Sequence, residues 1–198
     1  GNISKNFESE ILCDIKESLC FVSTNFEQDM KTSAESSVLD KPYELFHDGS
    51  ILNLGNELFC CTEALFQPNL LGLEEVDSVP ASTIRAIETC GDDNLDNIQK
   101  TMYSNIVLSG GNTMFPGFSE RLTKEINDSL AVSHPSFWID DTIAKSLQDP
   151  KQMSWIGGSI LASLPQFQLR MWITSEEYEE FGASIVHQDR LNDFATFY

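Results

Sequence analysis

Asn105-Ile-Val-Leu-Ser-Gly-Gly-Asn-Thr113 runs through Met114-Phe-Pro-Gly117 into a stretch whose apolar residues fall on every fourth position, Phe118, Leu122, Ile126 and Leu130. The spacing predicts a short strand, a Gly-Gly turn and a helix, the local unit of an α/β fold. Two successive glycines remove Cβ obstruction, so a ligand can lie against the backbone there, and the helix start behind them carries a partial positive charge. No G-K-[ST] follows the turn and no G-x-G-x-x-G is present, so this is neither a Walker loop nor a dinucleotide fingerprint. On spacing alone, a plain structural turn and a ligand loop both stay open.

Upstream, Phe7, Ile11, Ile15, Leu19 and Val22 recur at spacings of three and four between acids and predict an amphipathic helix carrying Lys16-Glu17. The polar run Lys31 to Lys41 reads as a solvated connection leading into Pro42. Ile51 to Leu54 and Glu57 to Cys61, on either side of Gly55-Asn56, read as a hairpin, and Thr62 as the cap of a short helix reaching Phe66 before Pro68. Leu70-Leu-Gly-Leu73 is too short for a helix and reads as a loop. Further helices are expected from Ala81 to Cys90, around Leu95, Ile98 and Met102, and from Trp155 to Leu164, where Pro165 ends the pattern. Thr174 and Glu177 fit a capping box opening an acidic helix that Gly182 closes.

Charge and composition exclude several classes. Thirty-one Asp and Glu against 12 Lys and Arg give a net charge of −19, so neither nucleic acid nor an anionic membrane surface is an expected partner. No apolar run approaches the roughly 18 residues of a membrane span. Five cysteines, Cys13, Cys20, Cys60, Cys61 and Cys90, include no C-x-x-C pair, and His47, His134 and His187 lie far from them and from one another, so no metal site is expected. Reduced thiols in a cytosolic or nuclear protein are the expectation. The chain opens at Gly1 rather than Met, which reads as a processed or trimmed start.

A collinear series of segments resembles the C-terminal half of the actin family, which includes the divergent actin-related proteins. The segments are Asp14-Ile-Lys-Glu-Ser-Leu-Cys20, Tyr43-Glu-Leu45, Leu54-Gly-Asn-Glu57, Glu63-Ala-Leu-Phe-Gln-Pro68, Val107 to Gly117, Trp155 to Leu164, Met171-Trp-Ile173, Glu177-Tyr178 and Ser184 to His187. They follow family order along nearly the whole chain, with weak stretches at Glu74–Lys100 and Ser133–Pro150. The resemblance implies part of the actin-like ATPase fold, its C-terminal half, as two lobes plus a C-terminal helical segment. Residues 1–72 would form a helical and hairpin subdomain, 73–152 an adenosine-loop α/β subdomain, and 153–198 a helical segment packing on the N-terminal half.

Site residues follow from the same resemblance. Lys16 and Glu17 would border an adenine and ribose pocket, with Gly110, Gly111, Met114 and Phe115 as its opposite wall and Lys151 a basic neighbour. Phe115 replaces the family's usual Tyr and Asn112 its usual Thr, which keeps ring stacking and removes a hydroxyl contact. The family's phosphate loops, metal-holding carboxylates and water-positioning residues belong to its N-terminal half, so no catalytic or metal residue is assigned here. ATP or ADP with a divalent cation is expected in the complete protein. Hydrolysis is expected only with that half. Leu70, Leu71 and Leu73 match the plug loop that inserts between protomers. Ile156, Ile160, Leu161, Leu164 and Met171 match one side of the cleft receiving amphipathic helices of actin-binding proteins. For each of these apolar sets, packing within the chain itself is the alternative.

The expected function is thus cytoskeletal or actin-related nucleotide binding, expressed through assembly with actin or with itself and through partner binding, in the cytoplasm or nucleus. A truncated interaction module without nucleotide is the alternative, and a sugar kinase of the same superfamily a remote one. Past the family's usual end, Leu191, Phe194 and Tyr198 are spaced as a short apolar helical stripe that could occupy the cleft.

Overall fold

The computed structural model describes residues 2–46, 48–90, 96–133, 150–165, 167 and 172–187. The chain forms two compact units, residues 1–150 and 151–198.

In the first unit, α1 spans Asn2–Leu19, with Ile11, Ile15 and Leu19 half-buried on its inner side. Val22 lies beyond the helix, buried in the core. The next helix, α2 (Phe26–Glu35), corrects the expectation of a connection from Lys31. Asn25 caps it by accepting from the Gln28 N–H, and the hydroxyls of Thr32 and Ser36 donate to carbonyls four residues back, so polar residues here serve the helix. The connection begins only at Ser36.

A hairpin exists with a different partner. Strand β1 (Lys41–Glu44) pairs antiparallel with β2 (Ile51–Leu54), Lys41 opposite Leu54 and Glu44 opposite Ile51. Next to the paired strands, the Leu45 N–H donates to the Ser50 carbonyl at 2.9 Å. Glu57 to Cys61 is not a strand but the start of α3 (Glu57–Glu63). The Gly55-Asn56 pair supplies carbonyls to the first helical N–H groups. Leu58, Phe59, Thr62 and Glu63 are its buried residues, a spacing only a helix can bury. Thr62 therefore sits inside α3 and donates to the Phe21 and Phe59 carbonyls instead of capping a helix.

A 3-10 turn (Pro68–Leu71) ends at left-handed Gly72. Helices α4 (Val79–Thr89) and α5 (Asp96–Tyr103) follow. The expected strand at Asn105–Leu108 reduces to a single bridge residue, Val107. Asn105 is drawn back onto α5, its backbone N–H bonding Met102 and its side chain the Thr101 carbonyl. A 3-10 turn (Gly111–Met114) then leads to α6 (Phe118–Ser133).

The four-residue stripe of α6, Phe118, Leu122, Ile126 and Leu130, is buried to 3% exposure or less. It meets Val22, Phe66, Ile87 and Tyr103 in one core, and α4 packs on both α5 and α6. Each of those α6 side chains contributes about 1.5–3 kcal/mol of burial before ordering costs. Among the described residues the β structure is this two-stranded sheet and the Val107 bridge.

The second unit holds α7 (Met153–Ser163), α8 (Ser175–Phe181) and a 3-10 segment (Gly182–His187) packed on α8. Leu164 is extended, as the residue before Pro165 must be. The capping box is present. The Thr174 hydroxyl oxygen accepts from the Glu177 N–H at 3.2 Å, and the Glu177 carboxylate accepts from the Thr174 N–H at 2.9 Å. Thr174→Ala should cost about 1 kcal/mol of local helix stability. Faster amide exchange across residues 175–181 measures it, and unchanged exchange would count against the cap.

Candidate functional site

Two segments about 95 residues apart in sequence meet at the end of α1. Lys16 lies in the last turn of that helix, where a cation suits the negative end of the macrodipole. Beyond the helix the chain is pinned to the Gly-rich loop, because the Val22 N–H donates to the Pro116 carbonyl at 2.8 Å. Gly117 permits the approach. Its φ is +85°, and a Cβ there would stand 2.3 Å from the Val22 carbonyl oxygen. As a result the Lys16 ammonium lies 5.8 Å from the centroid of the Phe115 ring, within cation–π range.

Around that contact, Gly110 has φ +93° and open space on its Cβ side. Its N–H donates to the Pro150 carbonyl at 2.8 Å, and the Thr113 hydroxyl donates back to the Gly110 carbonyl at 2.8 Å, which fixes the bend. Gly111 and Met114 are exposed and Phe115 half-buried. Glu17 is exposed beside Lys16 in sequence, and Lys151 is an exposed residue at the head of the second unit. A half-covered ring, a cation above it and an unobstructed glycine backbone can receive a flat heteroaromatic group. The same residues do not fit a divalent cation. Among the described residues no three His, Cys, Asp or Glu side chains gather to hold a metal.

Beneath the junction lies a network that sequence reasoning missed. Arg121, on α6, donates from Nη2 to Glu63 Oε1 at 2.7 Å, from Nη1 to Glu63 Oε2 at 3.1 Å and to the Ser23 carbonyl at 2.6 Å, and from Nε to Glu125 at 2.6 Å. Its guanidinium stacks 5.0 Å from the Phe66 centroid. Burial pulls the Arg121 pKa down, but the hydrogen bonds and charges of Glu63 and Glu125 outweigh it and hold the pKa above the ordinary value. Glu63, fully buried, also accepts from Gln67. The available signal was positional: Glu63 shares the inward face of α3 with Leu58, Phe59 and Thr62, and Arg121 adjoins the α6 stripe.

The apolar candidates face solvent. Leu70, Leu71 and Leu73 are 52%, 66% and 47% exposed on and just after the first 3-10 turn. On α7, Ile156, Ile160 and Leu161 are exposed, as is Leu164 at its C-cap, and none of the helix's residues is buried. Met171 and the tail from Gln188 lie outside the described residues. An apolar groove of about 700 Å³ runs between α4 and α5, lined by Val79, Thr83, Ile87, Met102 and Ile106. A second, of about 430 Å³, lies against Phe21, Val38, Lys41, Pro116 and Gly117. Among the described residues no helix is long and apolar enough to cross a membrane.

The family model of actin matches residues 2–190. The chain therefore belongs to the actin family. Its fold class is accordingly that of the actin-like ATPases, present here as a helix-rich chain with a small two-stranded sheet.

Proposed function

We propose that this chain supplies the adenosine-contacting wall of a nucleotide site in an actin-like protein that works by assembly and partner binding. The observation that supports the reading is the convergence of Lys16 with Phe115 across 99 residues of sequence. Lys16 and Glu17 form one side, and Gly110, Gly111, Met114 and Phe115 the other. Lys151 is a further basic contact in this reading. ATP or ADP is the proposed ligand, with its divalent cation and phosphates held by residues outside this chain. Hydrolysis belongs to the complete protein.

Partner binding rests on the exposed leucines of the first 3-10 turn and on α7. Leu70, Leu71 and Leu73 are proposed to insert into a neighbouring protomer, of actin or of the same protein. Ile156, Ile160, Leu161 and Leu164, with Met171, are proposed to receive amphipathic helices. Cytoplasm, cytoskeleton and nucleus are the proposed locations.

Titration of the full-length protein with ADP tests the nucleotide site. Phe115→Ala should weaken binding by about 1–3 kcal/mol, the range for loss of a base-stacking ring, and Lys16→Ala by about 0.5–1 kcal/mol. No heat of binding would replace this reading with an interaction module that binds no nucleotide, and equal affinities for wild type and both variants would remove Lys16 and Phe115 from the nucleotide site.

A further inference from the structure

Cys20 and Cys61 are 41 residues apart in sequence, yet their sulfurs lie 3.4 Å from each other. Both flanks of the contact are fixed. The Phe21 N–H donates to the Leu58 carbonyl at 3.1 Å, and the Thr62 hydroxyl donates to the Phe21 carbonyl at 2.6 Å. The Phe21 and Phe59 rings pack with centroids 5.6 Å apart. Cys61 is exposed whereas Cys20 is buried. Adjacent Cys60 points elsewhere, its thiol 3.6 Å from the Met30 sulfur, because successive helical residues are turned by about 100°. Thus α3 presents one thiol to Met30 and the next to Cys20.

We propose that Cys20 and Cys61 form a reversible dithiol–disulfide modification site, oxidised by exchange with a low-molecular-weight disulfide such as oxidised glutathione. In the first step the Cys61 thiolate attacks one sulfur of the small disulfide, and one small thiolate leaves. The Cys20 thiolate then attacks the Cys61 sulfur, the mixed disulfide breaks, and the second small thiolate leaves. Overall the two protein thiols lose two electrons and two protons, and the small disulfide is reduced to two thiols.

The environment sets that order. Exposure lets Cys61 meet the reagent, while burial, then the hydrogen bond and charge of Cys61, push the Cys20 thiol up to about 12. Capping Cys61 as a mixed disulfide removes its charge from beside Cys20; burial, the largest cause, still raises the thiol, while Lys16 and Lys41 oppose it. The second step therefore rests on proximity, the Cys20 sulfur standing 3.4 Å from the sulfur it attacks. The other exposed thiols, Cys13 and Cys90, have no thiol neighbour recorded at contact distance and should retain their small adducts.

The test treats the full chain with oxidised glutathione, quenches with acid, alkylates, and maps peptides by mass spectrometry. The expected product is a Cys20–Cys61 cross-linked peptide lacking two hydrogens, reversed by reduced glutathione. Closing that loop should raise the melting temperature by about 5–15 °C. Cys60→Ser should cross-link like wild type, and Cys20→Ser should stop at a lasting glutathione adduct on Cys61. If Cys20→Ser does not fold, Cys61→Ser, altered only at the exposed position, should abolish the cross-link and leave Cys20 unmodified. A lasting Cys61 adduct in wild type, or a cross-link through Cys60 or Cys90, would overturn the proposal.

Discussion

Arg121→Ala should lower unfolding stability by about 3–5 kcal/mol, the range for removing one partner of a buried ion pair. The reason is what remains behind. Glu63 is fully buried, and among the described residues its carboxylate would keep the Gln67 amide as its side-chain donor. The Ser23 carbonyl would lose its guanidinium donor and Phe66 its cation. Arg121→Lys should fall between, since an ammonium cannot reproduce the two parallel bonds to Glu63. Changing both partners to apolar residues, Glu63→Met with Arg121→Leu, should recover part of the loss, because no uncompensated charge is then buried. Arg85 is the control. Its guanidinium is exposed and its partner Asp77 only half-buried, so Arg85→Ala should change stability by at most about 1 kcal/mol. Denaturant midpoints for the four variants decide the matter, and a loss below about 1 kcal/mol for Arg121→Ala would show that the network contributes little.

The second large effect is expected from Gly117→Ala. The new Cβ would stand 2.3 Å from the Val22 carbonyl oxygen, on a residue whose φ of +85° already disfavours any side chain. Strain of about 1–3 kcal/mol adds to a weakened Val22–Pro116 hydrogen bond, worth about 0.5–1.5 kcal/mol. A total near 3 kcal/mol is expected by thermal or chemical unfolding. Two other glycines separate the causes. Gly72→Ala meets the conformational penalty alone, at φ +73° with open space around it. Gly158→Ala, inside α7 and also in open space, should gain about 0.5–1 kcal/mol through helix propensity. If Gly117→Ala costs no more than Gly72→Ala, the close approach to Val22 is not what selects glycine.

The elements that could be read from the sequence are those in which one periodicity persists for three turns or a cap announces itself. α6 shows its stripe without interruption, and α8 carries Thr174 and Glu177 at the required spacing. Short elements were ambiguous for a physical reason. Leu58-Phe-Cys-Cys61 is a run of four that either strand or helix can bury, and the choice is made by Thr62 and Glu63 turning inward toward Phe21 and Arg121. α2 was mistaken from Lys31 onward because its hydroxyls satisfy its own carbonyls, which local composition does not reveal. Of the candidate site, the resemblance brought Lys16 and Phe115 together, while spacing alone placed Lys16-Glu17 on an amphipathic helix and left the Gly-Gly segment open between a structural turn and a ligand loop. Glu63 and Arg121 read singly as charges, and only the folded chain makes them partners.

The four residues Cys20–Ser23 belong to neither helix nor strand, yet four hydrogen bonds tie their backbone to other parts of the chain. Phe21 is held to α3 through both its N–H and its carbonyl, Val22 to Pro116, and Ser23 to Arg121. Irregular connections ordinarily absorb insertions and deletions without consequence. This one cannot. Adding or removing a single residue would put the N–H now facing Pro116 opposite α3, turn Val22 out of the core and carry Lys16 out of phase with Phe115. The span from Lys16 to Ser23 is thus a fixed measure of length, and variation in chain length within this molecule has to be accommodated elsewhere.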